Sequence, residues 1–389
     1  MMKILHTSDW HLGHTLYNYD RTEEQQSMID QMVDIVGREK PDVFLLSGDV
    51  YHTAQPSAST QTLFSEAIMR LHTAHPGMVI IATAGNHDSG SRHEVFRKPW
   101  QTLGVYAIGC LDRDHPETHI IDIPGKGKVI ALPYCHERNL PEDIFQRLID
   151  RATDHNATHL PVVMMAHTTV RGCDFTGHQD ATDLSVGGID TLNIEDLGTG
   201  YDYLALGHIH HAQFIHTGRH NVRYSGTPIA VGFDEAYEHS VSLVEIDRHG
   251  DKPRVKTIAI DNPHPLVTLP SKGFDSWEKA LQLLKDFPDD IPAYIRLNVE
   301  TDTFLPSNAT MDAQAATTGK RCRFCVVNAR RKDRHAADEK VLTVEEFQEE
   351  KPIDIARRYA EDKGVEFDNN MQELFNQALA LTQQDSQNL

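Results

Sequence analysis

Residues 1–13, MMKILHTSDWHLG, set the apolar pair Ile4 and Leu5 directly against a polar tail that carries Asp9 and His11. An apolar run that stops at glycine and polar residues reads as a buried strand, and an Asp after it reads as turn chemistry unless the arrangement recurs. It does recur. Residues 43–52 read VFLLSGDVYH, with Asp49 after the run, and residues 78–88 read MVIIATAGNHD, with Asn86, His87 and Asp88. Residues 162–167, VVMMAH, end on His167, and residues 203–211, YLALGHIHH, carry His208 and His210. Ligands of open α/β sheets collect beyond the carboxyl ends of strands, so groups far apart in the chain can converge there.

The wider pattern fits an α/β fold. Expected strands are Lys3–Thr7, Val43–Ser47, Met78–Thr83, Val129–Pro133, Val162–Ala166 and Tyr203–Leu206. Between them Met28, Ile29, Met32, Val33 and Val36 recur at helical spacing, as do Leu63, Phe64, Ala67, Ile68 and Leu71. The proline-marked stretch DNPHPLVTLPSKG, residues 261–273, places a boundary near 265. Beyond it the patterning predicts helix Trp277–Phe287, strand Ala293–Val299, a helix around Asn308–Thr317 and strand Arg321–Val327, a smaller α+β domain over 266–335. Residues 336–389 return to helical patterning, with Met371, Leu374, Phe375, Ala378 and Leu379 as one apolar stripe.

Composition excludes several classes. No apolar run approaches the about 18 residues that cross a bilayer, and the N-terminus lacks the apolar region of a secretory signal. The expectation is a cytoplasmic protein with no membrane partner. The five cysteines, Cys110, Cys135, Cys173, Cys322 and Cys325, are scattered and odd in number, which argues against a disulfide framework. Cys322 and Cys325 form a single C-x-x-C inside the strand-like RCRFCVV, so both read as structural. A net charge of -20 opposes polyanion binding. Bound cations, a partner, or the cluster Lys320, Arg321, Arg323, Arg330, Arg331, Lys332 and Arg334 would have to offset it; the same cluster equally describes a charged strand edge.

The residue types at the strand ends suit a dinuclear metal centre. In an extended segment D-x-H and H-x-H each turn two donors to one side. A carboxylate can bridge two cations, and Asp49 is best placed to do so. Mixed Asp, Asn and His ligation favours manganese, iron or zinc over calcium. Two such ions can clamp a phosphate and activate a water near neutral pH.

The series D-x-H, G-D, G-N-H-D, H and G-H-x-H resembles the calcineurin-like metallophosphoesterase superfamily, which implies a two-sheet sandwich flanked by helices. More narrowly, ILHTSDWHLG, LLSGDVYHTAQPS, YLALGHIH and RYSGTPIAVGFDE look like the SbcD family of DNA exonucleases. That resemblance covers residues 1–260 closely. It implies metal ligation by Asp9, His11, Asp49 and His210 at one ion, and by Asp49, Asn86, His167 and His208 at the other, most often manganese. It implies that His87 acts on the scissile phosphate, a task for which imidazole is suited. Asp88 would orient His87 or simply close a turn; His52 would lie near substrate or be a surface histidine. Tyr17, Tyr19 and Arg21 would touch the DNA backbone or pack. The resemblance also implies a metallophosphoesterase nuclease domain over 1–265, a capping domain over 266–335, and a C-terminal helical segment that docks on an SbcC-like coiled-coil ATPase. A nuclease homodimer within a heterotetramer, acting on DNA ends, hairpins and single strands, completes the expectation.

Overall fold

The computed structural model of the chain describes residues 1–154, 156–177, 191–215, 220–302 and 304–331, with isolated positions beyond. Contacts divide the chain into two units, Met1–Arg330 and Arg331–Leu389, and both large sheets belong to the first.

Strands that are apolar throughout need cover on both faces, and parallel sheets supply it. Val43–Ser47 is buried at every position and pairs in parallel with Met2–Thr7 on one side and Val79–Thr83 on the other. The six-stranded sheet they centre runs Arg254–Ala259, Ser240–Ile246, Met2–Thr7, Val43–Ser47, Val79–Thr83, Val105–Ile108. A second six-stranded sheet runs Gln213–Phe214, Val222–Tyr224, Tyr203–Gly207, Val162–His167, Gly127–Ala131, Ile120–Ile123. Their facing sides share one core that includes Ile4, Leu45, Ile81, Val129, Met165 and Tyr203. Helices cover the outer faces. Thr22–Glu39 buries Met28, Ile29, Met32 and Val36 on the first sheet and stops at Lys40, whose left-handed backbone returns its N–H to the Val36 carbonyl. Ala58–Ala74 starts at Ser57, whose hydroxyl caps Thr60 N at 3.1 Å. Ile144–Thr153 packs on the second sheet. The carboxyl ends of the central parallel strands of both sheets therefore open on the same loops.

A polar seam crosses the inter-sheet core. His6 Nδ1 lies 2.9 Å from the Tyr203 hydroxyl, and burial, reinforced by the nearby Arg223 guanidinium, pushes the imidazole down to about 3. The unfolded chain protonates this histidine near its ordinary value of 6.5, whereas the folded chain resists. Stability from this group is therefore intact above that value and declines as pH falls towards the folded one. The expected loss is about 2 kcal/mol between about pH 6.5 and 5. Thermal melts in chelator should show a shallower acid-side decline for His6→Asn than for wild type; identical slopes would refute this.

The smaller domain is a three-stranded sheet, Leu266–Leu269, Tyr294–Thr301 and Arg323–Arg331, covered by helices Trp277–Lys285 and Ala309–Ala316. It has its own core around Trp277, Ile295, Leu297 and Phe324. It packs against the sandwich: the Tyr19 hydroxyl donates to the Phe324 carbonyl at 2.9 Å, and Arg296 Nη2 donates to the Phe233 carbonyl at 3.1 Å. Cys322 is buried in its core and Cys325 half-buried; all five cysteines are free, and among the described residues no metal-type cluster includes one.

Much of the basic cluster is committed internally. Lys320 Nζ donates to the Lys285 and Phe287 carbonyls and pairs with Asp289 at 2.9 Å. Arg323 lies against the rings of both Tyr19 and Tyr294, at 5.5 and 5.6 Å, and Arg330 pairs with Glu300 at 2.9 Å and covers the Phe274 ring. These three charges already fix strand and helix ends of their own domain, as the strand-edge reading of the cluster expects. Lys332 and Arg334 lie outside the described residues, as do Ala378 and Leu379 of the C-terminal stripe; Met371 and Leu374 are exposed.

Candidate metal centre

The loops beyond the strand ends have unusual backbones. Asp9, His11, Asp49 and His208 all adopt positive φ, at 53°, 44°, 49° and 97°. Left-handed backbone costs a non-glycine residue on the order of 1–2 kcal/mol, and it persists only where the surroundings enforce it. The expected pleat-like alternation of D-x-H is therefore corrected: Asp9 and His11 are turned inward by left-handed kinks, not by extended chain. Loop-to-loop hydrogen bonds do the enforcing. Asp9 N donates to the Gly48 carbonyl and His11 N to the Asp49 carbonyl, each at 3.0 Å. The Asp9 carboxylate accepts His208 N at 3.0 Å, and Asp49 Oδ1 accepts His87 N at 3.0 Å. At Gly85 a Cβ would stand 2.0 Å from Asp49 Oδ1, so no side chain is tolerated there.

These kinks assemble two groups of donors. Asp9, His11 and His210 form one, and Asp49, His167 and His208 the other, with ligand atoms in each group within 4.8 Å of one another. His11 Nε2 and His210 Nε2 are 3.2 Å apart. Asn86 Oδ1 completes the second group, 2.9 Å from His167 Nε2 and 3.0 Å from His208 Nδ1. Asp49 Oδ2 reaches both groups, 3.3 Å from His167 Nε2 and 3.8 Å from His11 Nε2. Except for the half-buried Asn86, all seven residues are buried.

The electrostatics fit divalent cations. Burial holds His11 well below 6.5 and brings His208 down to about 3, so both rings are neutral donors. Burial would also lower His167, but the Asp49 and Asp9 carboxylates override it and raise the ring to about 9. Asp49 lies well below the usual carboxylate range, because the histidines around it, His167 foremost, outweigh its burial; burial raises Asp9. His167 Nδ1 donates to the Ser47 carbonyl at 2.8 Å, which turns Nε2 towards Asn86 Oδ1 and Asp49 Oδ2. A neutral His167 would thus set three acceptors face to face with no donor among them. The imidazolium relieves this when no ion is bound, and a divalent cation would take over that positive charge in a mixed Asp, Asn and His set of the manganese, iron or zinc kind.

His87 lies beside this centre, 6% exposed, its ring 5.0 Å from that of His11. Its Nδ1 donates to the His52 carbonyl at 2.9 Å. That corrects the expectation for Asp88, whose carboxylate instead accepts the backbone N–H groups of Val50, Tyr51 and Gly85 at 3.0, 2.9 and 2.8 Å. Asp88 ties the loop of Asp49 to the loop of His87, while a carbonyl orients the imidazole. His52 is half-buried and stacks on His87 with centroids 5.7 Å apart. Tyr17 is 48% exposed at the edge of the Phe233 ring. Arg21, placed by the sequence among the DNA contacts, is 2% exposed: Nη1 donates to the Ala230 carbonyl at 2.7 Å and Nε faces Glu24 at 3.5 Å. Its guanidinium is buried inside the fold and not presented at the surface, which corrects that expectation. Tyr19 likewise packs against the smaller domain.

Sequence reasoning missed Glu235. This buried carboxylate accepts His210 Nδ1 at 2.9 Å and is held below the usual carboxylate range because His210 outweighs its burial. An acid ending the otherwise apolar PIAVGF run was the available signal.

Paired donor groups at the carboxyl ends of a two-sheet sandwich define a metallophosphoesterase. The family model described as calcineurin-like phosphoesterase matches residues 2–212, and the chain belongs to that family. It is 30% identical over 300 residues to the SbcD subunit of the nuclease SbcCD from Rhodobacter capsulatus, an alignment covering 70% of this chain and 72% of that protein. It is 31% identical over 288 residues to the Bacillus subtilis protein of the same name (68% and 71% covered), and 28% over 334 residues to that of Escherichia coli K12 (78% and 79%). No described helix is long and apolar enough to cross a membrane.

Proposed function

We propose that this chain is the nuclease subunit of an SbcC–SbcD-type complex, hydrolysing DNA phosphodiesters at ends, hairpins and single strands with two manganese ions. The observation that carries the two-ion reading is Asp49 Oδ2, which stands between two separate donor groups. Asp9, His11, Asp49 and His210 would hold one ion, and Asp49, Asn86, His167 and His208 the other. Such a pair supplies Lewis-acid polarisation of the phosphoryl group and activation of water at neutral pH. The chain's own residues do the rest. With Nδ1 on the His52 carbonyl, Nε2 of His87 addresses the scissile phosphate and, in the imidazolium form, delivers a proton to the leaving oxygen. His52 and Tyr17 are the side chains we assign to substrate contact.

The acidic balance bears on the partners. With a net charge of -20 and much of its basic cluster paired internally, the isolated chain should bind DNA weakly and in a strongly salt-dependent way. An SbcC-like ATPase docking on residues 336–389 would supply the affinity, and the nuclease would stand in that complex as a homodimer. A cytoplasmic setting belongs to the same proposal. Linear plasmid DNA, compared with a small chromogenic diester, tests the substrate. Truncation after residue 340 should leave diester hydrolysis intact and abolish co-purification with the ATPase. Unchanged ATPase binding would overturn the docking assignment, and preference for the small diester would make the chain a small-molecule phosphodiesterase.

A further inference from the structure

The segment SGTPIAVGFDE, residues 225–235, meets the metal centre at His210. Thr227 N donates to the His210 carbonyl at 3.0 Å, and Glu235 Oε1 accepts the His210 ring at Nδ1 at 2.9 Å. Both the backbone and the ring of His210 are thus fixed by one loop. Glu235 is itself fixed: Oε1 also accepts Val231 N at 3.2 Å, and Oε2 accepts the Thr227 hydroxyl at 2.9 Å. The loop is anchored from outside by two arginines, Arg21 on the Ala230 carbonyl and Arg296 on the Phe233 carbonyl.

We infer that Glu235 is a positioning residue that sets the tautomer and basicity of His210 and thereby tunes the affinity of one cation selectively. The inference rests on the proposed reading that Asp9, His11 and His210 hold a cation. An ionised carboxylate only accepts, so it keeps the His210 ring proton on Nδ1 and leaves Nε2 with a lone pair, aimed at His11 Nε2 3.2 Å away. Carboxylate–imidazole contacts of this kind raise ligand basicity and hold ring orientation. The other group is built differently: behind His167 stands a neutral acceptor, the Ser47 carbonyl, at 2.8 Å. The two cations therefore have unequal hydrogen-bonded supports, a carboxylate on His210 Nδ1 and a carbonyl on His167 Nδ1, the nearest carboxylate to the latter being Asp9 at 4.0 Å. Removing the charge of Glu235 should weaken one ion and spare the other.

Manganese titration read by electron paramagnetic resonance of the free ion, together with melts of the metal-free proteins, tests this in the full chain. Wild type should bind two ions. Glu235→Gln, which keeps size and an acceptor but loses the charge, should weaken one of them about 10–100-fold and leave the other unchanged. Excess manganese should restore its kcat on a small phosphodiester without raising KM. Thr227→Val, which frees Oε2 and also removes the hydroxyl from His239 Nδ1 3.1 Å away, should weaken the same ion to a smaller degree, and it decides the matter if Glu235→Gln does not fold. Unchanged affinity for both ions in the folded variants, or equal weakening of both, overturns the inference. A wild-type chain that binds no manganese refutes the metal reading itself, and the inference with it.

Discussion

Asp49→Ala is expected to empty both cation sites and to lower phosphodiester hydrolysis on the order of 10⁴-fold or more, to the level seen in excess chelator. The expectation follows from position. Asp49 Oδ2 lies 3.3 Å from His167 Nε2 and 3.8 Å from His11 Nε2, so one oxygen of this carboxylate faces a ligand nitrogen of each donor group. Each ion contributes several kcal/mol of stabilisation to a developing phosphoryl charge, and both are lost together. The substitution also leaves His87 N without the Oδ1 acceptor it meets at 3.0 Å, costing about 1–3 kcal/mol of fold stability. Elemental analysis after desalting, with a melt to show that the chain is folded, checks this. Retention of either ion at wild-type affinity would mean that Asp49 is not shared, and undiminished cleavage in excess chelator would end the metal reading altogether.

What could be read ahead of the structure divides along a physical line. The central strands were legible because burial on both faces demands continuous apolar runs, as in Val43–Ser47 and Val162–His167. The ligands were legible because each follows such a run directly. Even there the bounds moved: the strand expected over Val129–Pro133 is Gly127–Ala131, since Gly127 pairs with Ile123 across a tight turn before the chain leaves the sheet. Short outer strands such as Ile120–Ile123 and Val222–Tyr224 leave little periodicity to read. Roles that depend on distant partners were not legible at all. Nothing local to Arg21 says that it lies against Ala230, 209 residues away, nor does G-N-H-D say whether Asp88 faces an imidazole or three amides. The left-handed backbone of Asp9, His11, Asp49 and His208 was hidden for the same reason, because the contacts that enforce it join separate loops.

His87→Ala should behave in the opposite way to Asp49→Ala: both ions retained, KM little changed, and kcat reduced about 10²–10⁴-fold. The backbone of His87 meets Asp49 through its N–H, which alanine keeps, so the bridging carboxylate stays in place. What is lost is the ring, whose Nδ1 is held by the His52 carbonyl and whose Nε2 we assign to the phosphate. The rival role is a real one, because His11, His52 and His87 bring ligand atoms within 4.8 Å of one another and would suit a cation on geometry alone. Metal content separates the two: depletion in His87→Ala would make the residue a ligand. Leaving-group dependence then separates proton donation from charge stabilisation. A nitrophenolate departs without a proton, whereas the alkoxide of a DNA sugar does not, so a proton donor should be missed far more on DNA than on the chromogenic diester. An equal loss on both substrates would leave His87 stabilising the developing phosphoryl charge and remove it from the proton transfer.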